Sequence, residues 1–302
     1  MRKSDDKRTS ETVLVAARAA HAAPTADNLQ PLAVRTLDNA LILQYRAPGG
    51  PTFPARHPAT LMGVGAALEN VVQAAAAMEV GVNIEVVAGA GNDYARIDLA
   101  QTGSPTAARA MGHALFTRHT NRHAYAKTPV ADTTLAQVAG LRDDAARIHL
   151  IRQADEVRAL AGLTEAASRV RFRTAEIHAW FAASLRLTPE EAAHGDGLDV
   201  RTFDLPPGGM ALLRYIAPWH RLERLNRIGA YRLLAAIEGA PIGKAPLLVA
   251  IIADDSLSAG RLMQRAWIQL NAQGLAVQPY YVIPDQIQRL HAGTVPEVRP
   301  LD

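Results

Sequence analysis

The stretch Arg118-His119-Thr120-Asn121-Arg122, taken with the earlier Pro24-Thr25-Ala26-Asp27-Asn28-Leu29-Gln30-Pro31, decides how this chain is read. Two guanidiniums four positions apart with a hydroxyl between them suit an anion, because the Arg fork donates in pairs to phosphate or carboxylate oxygens. A solvated basic turn before a helix is the plainer account of the same residues. The Pro24–Pro31 segment follows directly on a helix C-terminus, and its Thr, Asp, Asn and Gln offer donors and acceptors. Pro, Asp and Asn favour turns in any protein, so turn chemistry explains that segment on its own terms too. Taken singly, each cluster leaves both accounts open.

Around these clusters the chain alternates helix and strand. Val13, Leu14, Ala17 and Ala20 recur at helical spacing, and Pro24 ends that helix. Val34–Leu37 and Ala40–Tyr45 read as two strands around a turn at Asp38-Asn39. A Pro/Gly-rich loop, 47–58, leads into a helix of small residues over 59–79 that Gly81 should close. A helix so bland on every side belongs in the middle of the molecule. A strand over 82–87 follows.

A related order recurs later. It has a helix over 131–141, a strand at 148–151, helices over 155–187, a buried strand at 246–252, and a second bland helix over 258–273 closed by Gly274. This predicts an α+β protein of two related halves, 1–117 and 118–302. Between their common elements lies an extra segment, about 188–222, carrying Gly195-Asp196-Gly197, Pro206-Pro207-Gly208-Gly209 and Ala217-Pro218-Trp219-His220. Its length fits a lid over a site or a simple insertion.

Composition removes several kinds of chemistry. The 302 residues include no cysteine, which excludes disulfides, thiolate nucleophiles, and zinc or iron–sulfur centres held by Cys. Against 32 Lys/Arg stand 29 Asp/Glu, a net charge of +3, and runs such as Arg221-Leu222-Glu223-Arg224 interleave the signs as a solvated helix does. With 5% aromatics, stacking platforms for single strands are not expected, and neither is a nucleic-acid partner. The longest apolar run, 246–253, stops at Asp254-Asp255, short of the roughly 18 to 20 residues of a membrane span. Acids occupy the N-terminal positions where a signal peptide needs an apolar core. The expectation is a cytoplasmic protein with no membrane partner. No His pair at the i,i+4 spacing of a helical zinc site comes with the carboxylate such a site wants, so no metal is expected. Glu176 and His178 read either as an acid–base pair or as surface and packing groups, since residues two apart on a helix point to different faces.

Together, the two clusters resemble the nitroreductase family of FMN-dependent oxidoreductases, over nearly the whole chain. Family members carry an Arg-x-Ser/Thr-x-Arg/Lys stretch followed by a Pro-Ser-x-x-Asn-x-Gln-Pro loop. Here Arg118–Arg122 is similar to the first and Pro24–Pro31 to the second, in inverted order. Ordinary members are homodimers with flavin sites at the interface, Arg groups from one subunit and the loop from the other. Inversion is what a fusion of both subunits into one chain would write, and such fused members exist in the family. The implied fold is nitroreductase-like, with an intramolecular pseudo-dimer and a lid, and a monomer is the natural state.

At the family spacing beyond Arg122 lies Ala146, where no Pro-Thr-x-x-Asn loop is written, and Pro24 stands too near the chain start for an Arg stretch before it. One site of two is therefore expected to be intact. By the resemblance, Arg118 binds the FMN phosphate or ribityl region, Thr120 the ribityl chain, and Arg122 the pyrimidine edge, where a cation stabilises reduced flavin. Pro24, Thr25, Asn28 and Gln30 would line the cofactor from the other half. His119 follows a family variant, and Arg299 would be a terminal phosphate-binding cation. The helix carrying Gly260 to Gln264 would lie beneath the flavin.

The chain departs from the family in having Thr25 for Ser, Leu32 where an aromatic is common, and no Glu-Gly element reaching flavin N5. No catalytic side chain is assigned. The resemblance implies ping-pong transfer from NAD(P)H through FMN to a small organic acceptor. The missing N5 partner and the long 188–222 segment imply an alternative, a non-catalytic protein that sequesters FMN under a lid.

Overall fold

The computed structural model describes residues 11–50, 52–89, 91–100 and 107–294. Arg299 lies outside them. Helix α1 (Glu11–His21) buries Val13, Ala16 and Ala20. Strands β1 (Leu32–Thr36) and β2 (Ala40–Tyr45) form the expected hairpin, with Leu32 opposite Tyr45 and Thr36 opposite Leu41. Helix α2 (Pro58–Ala77) starts with Pro58 in its first turn, and the His57 ring accepts the Ala59 N–H at its mouth. β3 (Val82–Val86) and β4 (Asp93–Leu99) complete an antiparallel sheet of order β1-β2-β4-β3, and α3 (Ala107–Met111) follows. Hydrophobic faces of this sheet, α1 and α2 enclose one core, built around Leu41, Leu43, Leu68, Val71, Tyr94 and Ile97.

The second sheet is smaller. Helix α4 (Asp132–Ala139) precedes β5 (Arg142–Asp143) and β6 (Ala146–Ile151). The chain then leaves the sheet through α5 (Ala154–Arg171), α6 (Ala175–Ser184), β7 (Leu185–Arg186), α7 (Pro189–Ala192), β8 (Leu198–Asp199), α8 (Gly209–Ile216), α9 (Trp219–Asn226) and α10 (Ala230–Lys244). It returns as β9 (Leu248–Ala253), antiparallel to β6 with Ile151 opposite Leu248, and continues into α11 (Ser256–Ala272) and α12 (Val282–His291). Val138, Ile148, Leu262 and Ala266 lie in a separate core here.

Several expectations are corrected. Since β6 and β9 pair directly, everything from α5 to α10 is an excursion, much longer than 188–222. The Pro24–Pro31 loop contains a short 3-10 turn at Ala26–Asn28. At the end of α2 it is Glu79, not Gly81, that takes the left-handed conformation, φ 61°. β9 is an edge strand and only half-buried, whereas Gly274, at φ 76°, closes α11 as foreseen.

The two bland helices cross in contact. A Cβ on Gly65 would stand 2.1 Å from the Leu257 carbonyl oxygen, and one on Gly260 would stand 2.0 Å from that of Met62. Each glycine faces the carbonyl of the residue three before the other glycine, so the contact is unchanged when the helices are exchanged. The same exchange holds further along. Four and five residues past Gly65 come Glu69 and Asn70; four and five past Gly260 come Gln264 and Arg265. The Gln264 amide donates to Asn70 Oδ1 at 2.7 Å, and Arg265 donates to Glu69 through Nε at 2.7 Å and a terminal nitrogen at 2.8 Å. Gly260→Ala forces these backbones apart, and strain of this kind costs about 1–3 kcal/mol. Denaturant unfolding of that variant should show a lowered midpoint with an unchanged slope.

Candidate functional site

The fold brings the two sequence clusters together. The Pro24–Pro31 loop leaves α1 and runs against the start of α2, where a Cβ on Gly63 would lie 3.4 Å from the Pro24 carbonyl oxygen. Asp27, Asn28 and Gln30 all take positive φ, at 48°, 55° and 51°. Left-handed backbone at three non-glycine residues in four is costly, and such strain collects where surrounding contacts fix a loop for function. Thr25 Oγ1 accepts the Gln30 N–H at 3.1 Å, and the Gln30 amide donates to Asn28 Oδ1 at 2.7 Å. Thr25, Asn28 and Gln30 thus hold the loop's own shape.

Arg118 approaches this loop across 96 positions of the chain and donates to the Ala22 carbonyl at 3.3 Å. Its guanidinium lies 4.3 Å from the ring centroid of Trp267 on α11. The indole N–H of Trp267 in turn donates to the His119 carbonyl at 3.0 Å, and the His119 N–H to Asn271 at 2.9 Å. The Arg118 stretch is therefore laid along α11 by both of its neighbours. Burial, with no acid paired to it among the described residues, pushes the Arg118 guanidinium down to about 10. Its Nε is buried without a hydrogen-bond partner among the described residues. A desolvated, under-bonded cation is a site that an anion stabilises. Thr120 is half-buried, and His119 is exposed, with its ring Nδ1 3.1 Å from the Thr117 carbonyl oxygen.

The excursion covers both clusters. Asn28 exchanges hydrogen bonds with Gly197, its carbonyl accepting at 2.7 Å and its amide donating at 2.9 Å, and the amide also reaches the Gly195 carbonyl at 3.4 Å. Arg122 donates to Thr202 Oγ1 at 3.1 Å and lies 5.5 Å from the Phe203 ring centroid. Gly197 sits at φ 70°, where a Cβ would be 2.5 Å from the Ser184 carbonyl oxygen, and a bidentate pair between Arg186 and Asp196 fixes this turn. Burial pushes the Asp27 carboxyl up, against the pull of Arg171 and with the help of Glu238, while Arg122 draws it down. Burial also lowers Arg122, with Asp27 opposing. Arg171 and Glu238 pair with each other.

The sequence marks the 188–222 segment, with its Gly195-Asp196-Gly197, as a lid or an insertion, but spacing gives no sign that Gly197 meets Asn28, nor of Trp267, Thr202, Arg171 or Glu238, because these contacts join distant parts of the chain. Glu176 and His178 are not an acid–base pair. The buried His178 ring bonds the Ile216 and Ala217 carbonyls through Nε2, both at 2.9 Å, and Glu176 faces Arg289. A shallow depression of about 540 Å³ at the β1–β2 turn, between Asp38 and Arg96, lies in the first sheet and away from both clusters. Among the described residues no helix is long and apolar enough to cross a membrane, and no group of His, Asp and Glu could hold a metal ion.

No family model matches the chain. It is 26% identical over 279 residues to an uncharacterized protein of Mycobacterium tuberculosis (strain CDC 1551 / Oshkosh), MT1398, an alignment covering 90% of this chain and 38% of that one. The chain thus spans about two fifths of its relative's length, and the relative's name assigns no activity.

Proposed function

We propose that this chain is a nitroreductase-like flavoprotein that binds one FMN between its two halves. On this reading it is an NAD(P)H-dependent oxidoreductase acting on a small organic acceptor. The observation that carries the proposal is Arg118, a partly buried cation stacked on Trp267 beside the Pro24–Pro31 loop, with its Nε buried and no acid paired to it among the described residues. These residues fit the cofactor. Arg118, with Thr120 beside it, would hold the phosphate and ribityl region, Arg122 the pyrimidine edge, and Pro24, Thr25, Asn28 and Gln30 the opposite side. FMN, when bound, supplies hydride transfer between donor and acceptor. The chain's own part is to balance charge, fix orientation and exclude water through the 195–203 segment. The exchange-symmetric crossing of α2 and α11 supports an internal pseudo-dimer, in which a monomer suffices.

A second reading, FMN held without turnover, is favoured by one observation. Asn28 and Arg122, one from each half, are both engaged by the covering segment. The visible spectrum of the purified protein, with released flavin counted per chain, tests what the two readings share. About one FMN per chain is expected from a single intact site; two per chain, or none even after FMN is added, removes the proposal. Gly197→Val, which cannot keep its backbone so close to Ser184, separates the readings. If the segment blocks the donor, flavin content stays and reduction by NADPH or NADH quickens; if the native protein is already reduced rapidly, holding without turnover is discarded.

A further inference from the structure

The turn between α9 and α10, Arg227-Ile228-Gly229, is built unlike the rest of the surface. Ile228 is 84% exposed, and Leu233 and Ile237 on α10 are 61% and 54% exposed. Gly229 takes φ 92°, and no atom lies within 4 Å of the position its Cβ would occupy, so the turn stands clear of the body. Arg224 and Arg227 are exposed and form no ion pair among the described residues. Arg232 donates to the neighbouring Tyr231 hydroxyl at 3.1 Å and lies over its ring, with no ion pair among the described residues. Leu233 and Ile237, four apart on α10, share one face of that helix, while Arg224 at the end of α9, Arg227 in the turn and Arg232 in the first turn of α10 flank Ile228 along the chain. Glu223 is the acid in this run.

From this juxtaposition we infer that the α9–α10 corner docks the protein on an anionic phospholipid surface. Exposed apolar side chains flanked by exposed cations match a bilayer interface, where Ile228 and Leu233 would enter the acyl boundary while guanidiniums meet headgroup phosphates. A second copy of this chain fits less well, because a two-fold contact would set the Arg cluster against itself. An acidic protein satisfies the cations, but the protruding turn offers it no groove for Ile228. The inference revises the expectation of no membrane partner, which rested on the lack of a spanning segment and says nothing of peripheral contact. It does not depend on the flavin reading.

The test is flotation of the full chain with phosphatidylcholine vesicles, with and without phosphatidylserine, at low and raised salt. Binding is expected only to the anionic vesicles and should weaken with salt. Arg224→Ala with Arg227→Ala should lower partitioning roughly 30-fold, from about 1 kcal/mol per cation near the surface. Ile228→Ser should lower it too, with thermal unfolding unchanged, since the side chain packs against little. No flotation at low salt, equal binding to neutral vesicles, or native-like binding by the variants overturns the inference. So does a dimer in light scattering that Ile228→Ser dissociates in a protein that does not float. Binding of polyglutamate without flotation would overturn it in favour of an acidic polypeptide.

Discussion

Arg265→Met lowers folding stability by about 3 kcal/mol, the lower end of the cost of breaking a buried ion pair from one side. Its partner Glu69 is 1% exposed, on the helix-crossing face of α2, and receives two hydrogen bonds from the Arg265 guanidinium. Removing Arg265 leaves that carboxylate out of water with Arg261 as its remaining cation, 3.6 Å away, and with a hydrogen bond from Gln73. Those survivors keep the loss from reaching the upper end. Burial by itself would raise the Glu69 carboxyl, but hydrogen bonds from Arg265 and Gln73 and the charges of Arg265 and Arg261 outweigh it, holding the group below the ordinary glutamate range.

The sign of the pH dependence follows from this. A carboxyl depressed in the folded state contributes its stability fully above the unfolded value, and loses it as pH falls through the folded value. The gap between native and variant unfolding free energies should therefore be widest near neutrality and narrow on acidification below the ordinary glutamate range. A constant gap across that range removes the assignment. A paired Glu69→Leu, Arg265→Met variant should lose less than the single substitution, since neither charge is left stranded.

On the proposed FMN reading, Arg118→Ala is expected to weaken FMN binding by about 10- to 150-fold, the loss of one charge-assisted contact worth about 1.5–3 kcal/mol. Two features make Arg118 more decisive than the exposed cations. Its guanidinium already carries the cost of burial, visible in a value pushed down to about 10, so an arriving phosphate relieves a penalty the free protein bears. Its plane is also stacked on Trp267, which limits the side-chain freedom lost on binding. Arg118→Lys should recover part of the affinity, as the charge returns without the fork. Fluorescence quenching of FMN during titration measures both variants, and native affinity in Arg118→Ala would assign the phosphate elsewhere.

The sequence disclosed elements whose pattern is local. Period-3.6 apolar positions marked α1, and an alternating pair of runs around Asp38-Asn39 marked the β1–β2 hairpin. Strand β4 escaped because Asp93, Arg96 and Asp98 on its outward side mask the inward alternation of Ala95, Ile97 and Leu99. The full excursion escaped for another reason: its helices read like ordinary helices, and only the pairing of β6 with β9 shows that the chain returned to where it left. In the site, the loop and the Arg stretch were legible as residue types in a pattern. Their partners were not. Trp267 meets His119 across 148 positions, and Asn28 meets Gly197 across 169, so no spacing rule reaches them.

One consequence of the α2–α11 crossing concerns dilution and divergence. A contact with this exchange symmetry, made between two separate copies of a chain, falls apart as concentration drops, and every substitution in it appears twice. Here both helices belong to one chain, so the crossing holds at any concentration, its partner tethered at a constant effective concentration. Each position is also free to change alone. The amide pair of Gln264 and Asn70 faces the ion pair of Glu69 and Arg265 across the same axis. That is a difference no pair of identical subunits could sustain, and it leaves one end of the crossing free to specialise while the other keeps the fold together.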